Sequence, residues 1–263
     1  MRKGKLVQDA FGPCIEGPAD SILIEAWEAA TPAQMTKLAR KALSIDLNAL
    51  DAYNILGIHA PTLAEKIALF REATLIGEEL FAPLMDDDEM AWWGFMGTRP
   101  WMRAQNNLGL ALLEAQDLEG ATSVFKFLLA LNENDNQGIR YLLLKVCAET
   151  GNYDDCRILF GIYPDDSSIE FPATKLLIEL SKPKPSKKLT SLLAEIDASN
   201  PHLLGALKKA AKSGKWPVPS RADYVTYASK QQANGYLAEF KGAWMRKPKI
   251  LENFLAIPEI QTL

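Results

Sequence analysis

The chain has 263 residues, 48% of them apolar, with a net charge of −4 and a pI near 5.4. That length suits one elongated helical domain or two small ones, the apolar share supplies an ordinary core, and the acidic balance argues against a protein that coats nucleic acid over its whole surface. No window approaches about eighteen uncharged apolar residues, which argues against a membrane-spanning helix, and Gln8 and Asp9 interrupt the basic N-terminus before a secretory signal can develop.

Residues 1–20 hold three glycines and two prolines and read as an irregular arm. A short helix over Ser21–Ala30 follows, with Ile22, Leu23, Ala26 and Trp27 on its apolar face. Thr31-Pro32-Ala33-Gln34 is a capping box with proline at the first helical position. It opens a helix to about Ile45 with Leu38, Ala42 and Ile45 inward. After a turn over Asp46–Leu50, Tyr53, Leu56 and Gly57 hold the spacing of the first helix of a helix-pair repeat. Its partner over Thr62–Gly77 carries Ile67, Phe70 and Ala73. Residues 78–100 break the period with Asp86-Asp87-Asp88-Glu89, Trp92-Trp93 and Gly97-Thr98-Arg99-Pro100. Adjacent tryptophans cannot share one helix face, so one is expected to pack and the other to cover a seam or a partner.

Trp101–Leu131 is the strongest pattern. Leu108 and Gly109 lie on a first helix, Gln116-Asp117 form a polar turn, and Ala121 and Phe125 lie on a second helix. Small residues let the helices approach and large apolar ones fill the gap, which is the packing code of a tetratricopeptide repeat. Aligning AETGNYDDCRILF beneath LEAQDLEGATSVF puts Cys156 under Ala121 and Phe160 under Phe125, an offset near the roughly 34 residues of such repeats. A weaker pair covers Ser168–Leu180 and Leu189–Ala198, joined by KPKPSKK with Ser186 as the cap. Beyond Pro201 come Lys208, Lys209, Lys212 and Lys215, then the loop WPVPS and a second capping box, Ser220-Arg221-Ala222-Asp223. A long helix is expected from there to about Arg246, with Tyr224, Tyr227, Leu237, Phe240 and Trp244 mostly inward. Pro248 stops it, and a short helix over Ile250–Ala256 closes the chain.

Almost no sheet is expected. The fold class is all-α: a tetratricopeptide-like α-solenoid of antiparallel helix pairs with a helical C-terminal extension. One pair cannot bury both of its apolar faces, and stacking solves this. The expected organisation is an arm and short helix over residues 1–30, a repeat domain over 31–205 and a basic helical extension over 206–263.

Gly97-Thr98-Arg99-Pro100-Trp101-Met102-Arg103-Ala104 and Asn134-Asp135-Asn136-Gln137-Gly138-Ile139-Arg140-Tyr141-Leu142-Leu143-Leu144, with Tyr163-Pro164-Asp165-Asp166-Ser167-Ser168 and Ser199-Asn200-Pro201-His202, resemble motifs of bacterial tetratricopeptide-like proteins related to the suppressor-of-tumorigenicity-7 family. The resemblance covers roughly residues 30–205. It implies a helical repeat fold and no agreed biochemical activity. After His202 the chain departs from the pattern, and the membrane association of the eukaryotic relatives is not carried over.

Arg103 and Asn106 sit three apart on the first helix of the strong pair, with Leu110 one turn on, and Arg99, Arg140 and Tyr141 extend the line. In a stacked repeat this line faces the concave groove, where it would hold a peptide carboxylate or acidic side chains by charge-assisted bonds. The competing reading is internal bracing, with Arg99 and Arg140 tying loops together through turn carbonyls or nearby acids. Asn136 and Gln137 read as helix-start groups. Asp86–Glu89 lacks the alternation and glycine of a calcium loop and reads as a solvated turn.

The C-terminal lysines and Arg246-Lys247-Pro248-Lys249, with Trp216 and Trp244 nearby, offer an alternative as a nucleic-acid-associated adaptor. Against it stands a reading of core tryptophans beneath a wet lysine face. His59 and His202 belong to separate helix pairs, and no metalloprotease, paired C-x-x-C, nucleophile-elbow or phosphate-loop motif occurs. Cys14, Cys147 and Cys156 fit a reducing compartment; Cys147 and Cys156 lie on neighbouring helices, within reach of one another, and read as buried thiols. The expectation is a cytoplasmic, non-catalytic interaction scaffold with no cofactor or metal, binding a protein or peptide in its groove. Self-association through Trp92-Trp93 and occupation of the groove in cis by residues 1–20 stay open.

Overall fold

The computed structural model describes residues 1–184, 189–219 and 225–263, and the chain is mostly helical. It divides into two compact units, Met1–Ile139 and Arg140–Leu263.

The first unit begins with a β-hairpin where an irregular arm was expected. Strand β1 (Lys5–Asp9) pairs antiparallel with β2 (Gly12–Glu16), Lys5 opposite Glu16. The turn needs Gly12 at φ +105°, and Asp9 Oδ1 accepts the Phe11 N–H at 2.7 Å. A two-stranded hairpin is marginal alone, and this one is fastened by Asp46. Its Oδ1 accepts the backbone N–H groups of Lys3 (2.8 Å) and Asn48 (2.9 Å), while Asn48 Nδ2 donates to the Gly4 carbonyl at 2.7 Å. Five-residue strands bounded by glycine and proline carry too little alternation to be legible without that anchor.

Helices α1 (Asp20–Glu28), α2 (Pro32–Ile45), α3 (Leu50–Ile58), α4 (Leu63–Phe81), α5 (Arg99–Glu114) and α6 (Leu118–Leu131) follow. Thr31 caps α2 by accepting the Gln34 N–H, with Pro32 in the first turn, as the capping box implies. Each helix packs on its successor, and α3 also packs on α5. Ala26, Ala39, Ala42 and Ala52 are fully buried between α1, α2 and α3 and permit close approach.

The two pairs repeat one device. A Cβ on Gly57 would overlap the Phe70 ring, and a Cβ on Gly109 would overlap that of Phe125. The irregular stretch before α5 is pinned by Trp92, which packs against Phe81 and Trp101 at ring separations of 5.8 and 5.2 Å. Trp101 Nε1 donates to the Thr74 carbonyl at 3.1 Å. Trp93 stays half-exposed, and Asp86–Glu89 lie in solvent.

The second unit holds α7 (Ile139–Thr150), α8 (Tyr153–Ile162), α9 (Glu170–Leu180), α10 (Leu189–Ser199), α11 (Leu203–Ser213), α12 (Lys230–Glu239), α13 (Lys241–Met245), α14 (Pro248–Leu255) and α15 (Pro258–Thr262). Helix α9 is buried on all sides, with Phe171, Ala173, Leu176, Leu177 and Leu180 in the core. It packs against α8, α10 and α14, as a helix apolar all round must.

The expected long helix to Arg246 is instead α12 and α13. Ala228, at φ +54°, stops α12 from extending upstream; Ser229 caps it by accepting the Gln232 N–H at 3.1 Å. Asn200 Nδ2 donates to the Ser229 carbonyl and to Gln232 Oε1, both at 3.0 Å. The capping box at Ser220–Asp223, the Tyr224 placement and the Ser186 cap lie outside the described residues. Tyr227, expected inward, is 61% exposed, whereas Leu237, Phe240 and Trp244 are core. Pro248 starts α14 rather than merely ending a helix.

In this unit the carboxyls of Glu170, half-buried, and Glu239, at the surface, both depart from their ordinary values. Burial, with Glu239 nearby, raises Glu170 above the usual carboxylate range. Burial also raises Glu239, although Lys145 opposes the rise.

Two outcomes follow. Gly109→Ala should destabilise the chain by ring overlap and Phe125→Ala by about 3–5 kcal/mol. Gly235→Ala, mid-helix in α12 with open space around it, should instead stabilise by about 0.5–1 kcal/mol. Urea unfolding followed by circular dichroism reads all three, and equal shifts for the two glycines would remove the close approach as a constraint. Folded-state pKa values above the unfolded ones make the Glu170 and Glu239 contribution complete below about pH 4 and lost as pH rises through the raised values. Glu170→Gln should therefore raise the melting temperature more at pH 8 than at pH 4; a pH-independent shift would contradict this.

Candidate partner-binding surface

The six residues read from the sequence fall in two places. On α5, Arg99 Nε donates to the Trp93 carbonyl at 3.2 Å, and its guanidinium lies 4.9 Å from the Trp93 ring centre. One turn on, Arg103 makes a two-pronged pair with Asp51 of α3: Nε to Oδ1 at 3.3 Å and a terminal nitrogen to Oδ2 at 3.2 Å. Its guanidinium also sits 5.3 Å from the Trp27 ring centre. Asn54 Nδ2 donates to Asp51 Oδ1 (3.0 Å) and to the Pro100 carbonyl (2.9 Å), and Asn107 Nδ2 donates to Asn54 Oδ1 at 3.3 Å. This chain of amides and charges ties α3 to α5. Asn106 is half-buried with its Oδ1 sealed from solvent, while Leu110 is 41% exposed. Arg99 and Arg103 thus act as braces within the first unit, and Leu110 is the exposed apolar residue of this α5 line.

Arg140 and Tyr141, at the start of α7, meet the loop after α8. Arg140 Nε donates to Asp166 Oδ2 at 2.6 Å, a terminal nitrogen donates to Tyr141 Oη at 2.8 Å, and the Tyr141 hydroxyl donates to Asp166 Oδ2 at 3.0 Å. The guanidinium lies 4.6 Å from the Tyr141 ring centre and 4.9 Å from that of Tyr163. The Arg140 and Asp166 side chains are only 21% and 7% exposed. Burial on its own would raise the Asp166 carboxyl, but bonds from Ser168, Arg140 and Tyr141 outweigh it and hold the group below its ordinary value. The loop is shaped by Asp166 itself, whose Oδ1 accepts the Ser168 N–H at 2.9 Å.

Two hollows of about 590 and 460 Å³ flank this loop and share Pro164–Ser167 and Tyr227. Arg140, Tyr141, Tyr163 and the exposed Ile162 bound the first; Lys175, Glu195 and Ser199 bound the second. The surface is a shelf of stacked guanidinium and tyrosine rings in which Asp166 balances Arg140, with the exposed Asp165 beside it. Asp166, Tyr163 and Tyr227 were not read as site residues from the sequence: the first two stood only in a motif, and Tyr227 was expected inward. Tyr-Pro-Asp-Asp-Ser-Ser was the available signal, since an Asp two before a Ser marks a side-chain-closed turn.

Elsewhere, Trp244 is fully buried and donates Nε1 to Tyr236 Oη at 3.1 Å, so it offers no stacking face to a base. Trp216 is half-buried and Lys209, Lys212 and Lys215 are exposed. Hydrogen bonding with Cys147, together with burial, pushes the Cys156 thiol far above the usual range, the reverse of an activated nucleophile. No helix of the described residues is long and apolar enough to cross a membrane. No protein-family model matches the chain, and no curated protein matches it either.

Asp166→Asn should lower stability by about 1–3 kcal/mol through the lost charge-assisted bonds. A depressed folded pKa gives a contribution that is complete above about pH 4 and lost as pH falls through the folded value. Melting curves should show the variant's deficit at pH 7 and its progressive shrinking as pH falls below about 4; a deficit that grows in acid would overturn the role given to Asp166.

Proposed function

We propose that the chain is a non-catalytic helical-repeat scaffold of tetratricopeptide-like kind that binds a protein or peptide partner. The packing of α3–α4 on α5–α6, with α3 against α5 and the same glycine-to-ring device in both pairs, supports the repeat reading. Kinship with the suppressor-of-tumorigenicity-7 group remains part of the proposal, on the motifs quoted above. So does a cytoplasmic location, on the free thiols of Cys14, Cys147 and Cys156.

The observation that carries the proposal is the shelf around Asp166, with its two adjoining hollows and the exposed side chains of Tyr227 and Ile162. Tyrosines present large contact area at small entropic cost. Because Arg140 is already balanced by Asp166, the partner is held by apolar and aromatic side chains and by backbone hydrogen bonds rather than by a carboxylate on Arg140. Arg103, Asn106 and Leu110 form the second candidate surface, with Leu110 supplying the apolar anchor.

Co-purification with quantitative mass spectrometry tests this using wild type, Tyr227→Ala/Ile162→Asp and Arg103→Glu/Asn106→Ala. Partners enriched by wild type should be depleted at least tenfold by the first variant. Identical partner sets for all three folded proteins would dismiss both surfaces.

A further inference from the structure

A separate cavity of about 190 Å³ lies within the first unit, between the start of α1, the α2–α3 turn and β2. Three carboxylates line it: Asp20, Asp46 and Asp51. Arg103 engages both oxygens of Asp51 and balances it. Asp20 and Asp46 are met by backbone N–H groups only, Gly17 to Asp20 Oδ2 at 2.9 Å and Lys3 and Asn48 to Asp46 Oδ1. Among the described residues no ion pair reaches either of them.

Asn48 lines the same cavity and is 6% exposed. Its Nδ2 is committed to the Gly4 carbonyl, which fixes the amide's orientation, and its Oδ1 has no donor. A buried acceptor without a donor is costly. Two unbalanced carboxylates and an orphan carbonyl oxygen therefore call for positive charge with N–H groups. Asp46 is buried and Asp20 stands exposed at the rim, where burial, and then Asp46, raise it above its ordinary value.

The remaining wall is apolar, formed by Leu23, Ile24 and Leu50. No third acid, thiol or imidazole closes on Asp20 and Asp46: among the described residues the one such group of three or more close enough to share an ion is Asp9, Cys14 and Glu16, on the hairpin. The apolar wall suits an alkyl stem better than a hydrated ion. The volume lies below the roughly 300–1,000 Å³ of sites for drug-sized molecules, so the occupant is small.

We propose that this cavity binds a primary alkylammonium group, its head between Asp20, Asp46 and Asn48 and its stem against Leu23, Ile24 and Leu50. Such a group belongs to a free alkylamine or to the side chain of a lysine. The inference is independent of the shelf around Asp166.

Isothermal titration of the full chain with n-pentylammonium, Nα-acetyl-lysine methylamide and 1-pentanol at constant ionic strength tests it. At least one amine should bind saturably, and 1-pentanol, matched in length and uncharged, should not. The better of the two amines identifies the source. Asp20→Asn should weaken binding at least tenfold, while Asp88→Asn, the same charge change on an exposed loop, should leave it unaltered. Ile24→Trp, which fills the mouth from an exposed position, should block binding and serves if Asp20→Asn fails to fold. Absence of saturable binding by both amines would overturn the proposal, as would equal affinity for 1-pentanol or undiminished binding in both the Asp20→Asn and Ile24→Trp variants.

Discussion

The first unit depends on aromatic rings lying directly on bare helix backbone. Phe70 covers Gly57 and Phe125 covers Gly109, so α3 and α4, and α5 and α6, approach more closely than any side chain at the glycine would allow. Gly77 does the same for Trp101 between α4 and α5. Helix pairs joined this way have little freedom to slide, because each ring is trapped over one residue of its neighbour. That rigidity is what brings Asp51 and Asn54 of α3 opposite Arg103 and Asn107 of α5 at hydrogen-bond distance.

The arginines show how a polar face is divided between holding and presenting. Arg103 spends its planar fork on Asp51, and Arg140 divides its donors between Asp166 and the Tyr141 hydroxyl, each within its own unit. Geometry of this kind fixes a guanidinium more tightly than a lysine would be fixed. Around Arg140 the result is a flat, stacked surface in which Tyr141 and Tyr163 are held in place and Tyr227 and Ile162 project. The network thereby organises an aromatic surface without leaving a strong net charge on it.

What could be read from the residues follows the range of the interactions involved. Thr31-Pro32 announces a helix start through a bond that spans three residues, and Thr31 caps α2 as expected; Thr62, Asp117 and Asn152 cap their helices in the same way. Leu108-Gly109 with Phe125 is legible because a small residue and a large one at those spacings have one economical packing. The hairpin was not legible, since its stability comes from Asp46, over forty positions away from Lys3. The left-handed Ala228 was hidden for the same reason: Asn200, on a distant turn, sets the start of α12. Of the candidate site, Arg140 and Tyr141 were visible and their organiser Asp166 was not, because the partnership is formed by folding rather than by spacing.

The hairpin is seated by polar and packed contacts together. Asp46 and Asn48 hold its backbone, Arg2 pairs with Glu72 and Glu79, Gly97 approaches Cys14, and the Phe95 ring lies where a Cβ on Gly12 would stand. Gly12 is also the turn residue at φ +105°. One position therefore couples the shape of the hairpin to its seat: any side chain there would unsettle the bend and push away the ring that covers it.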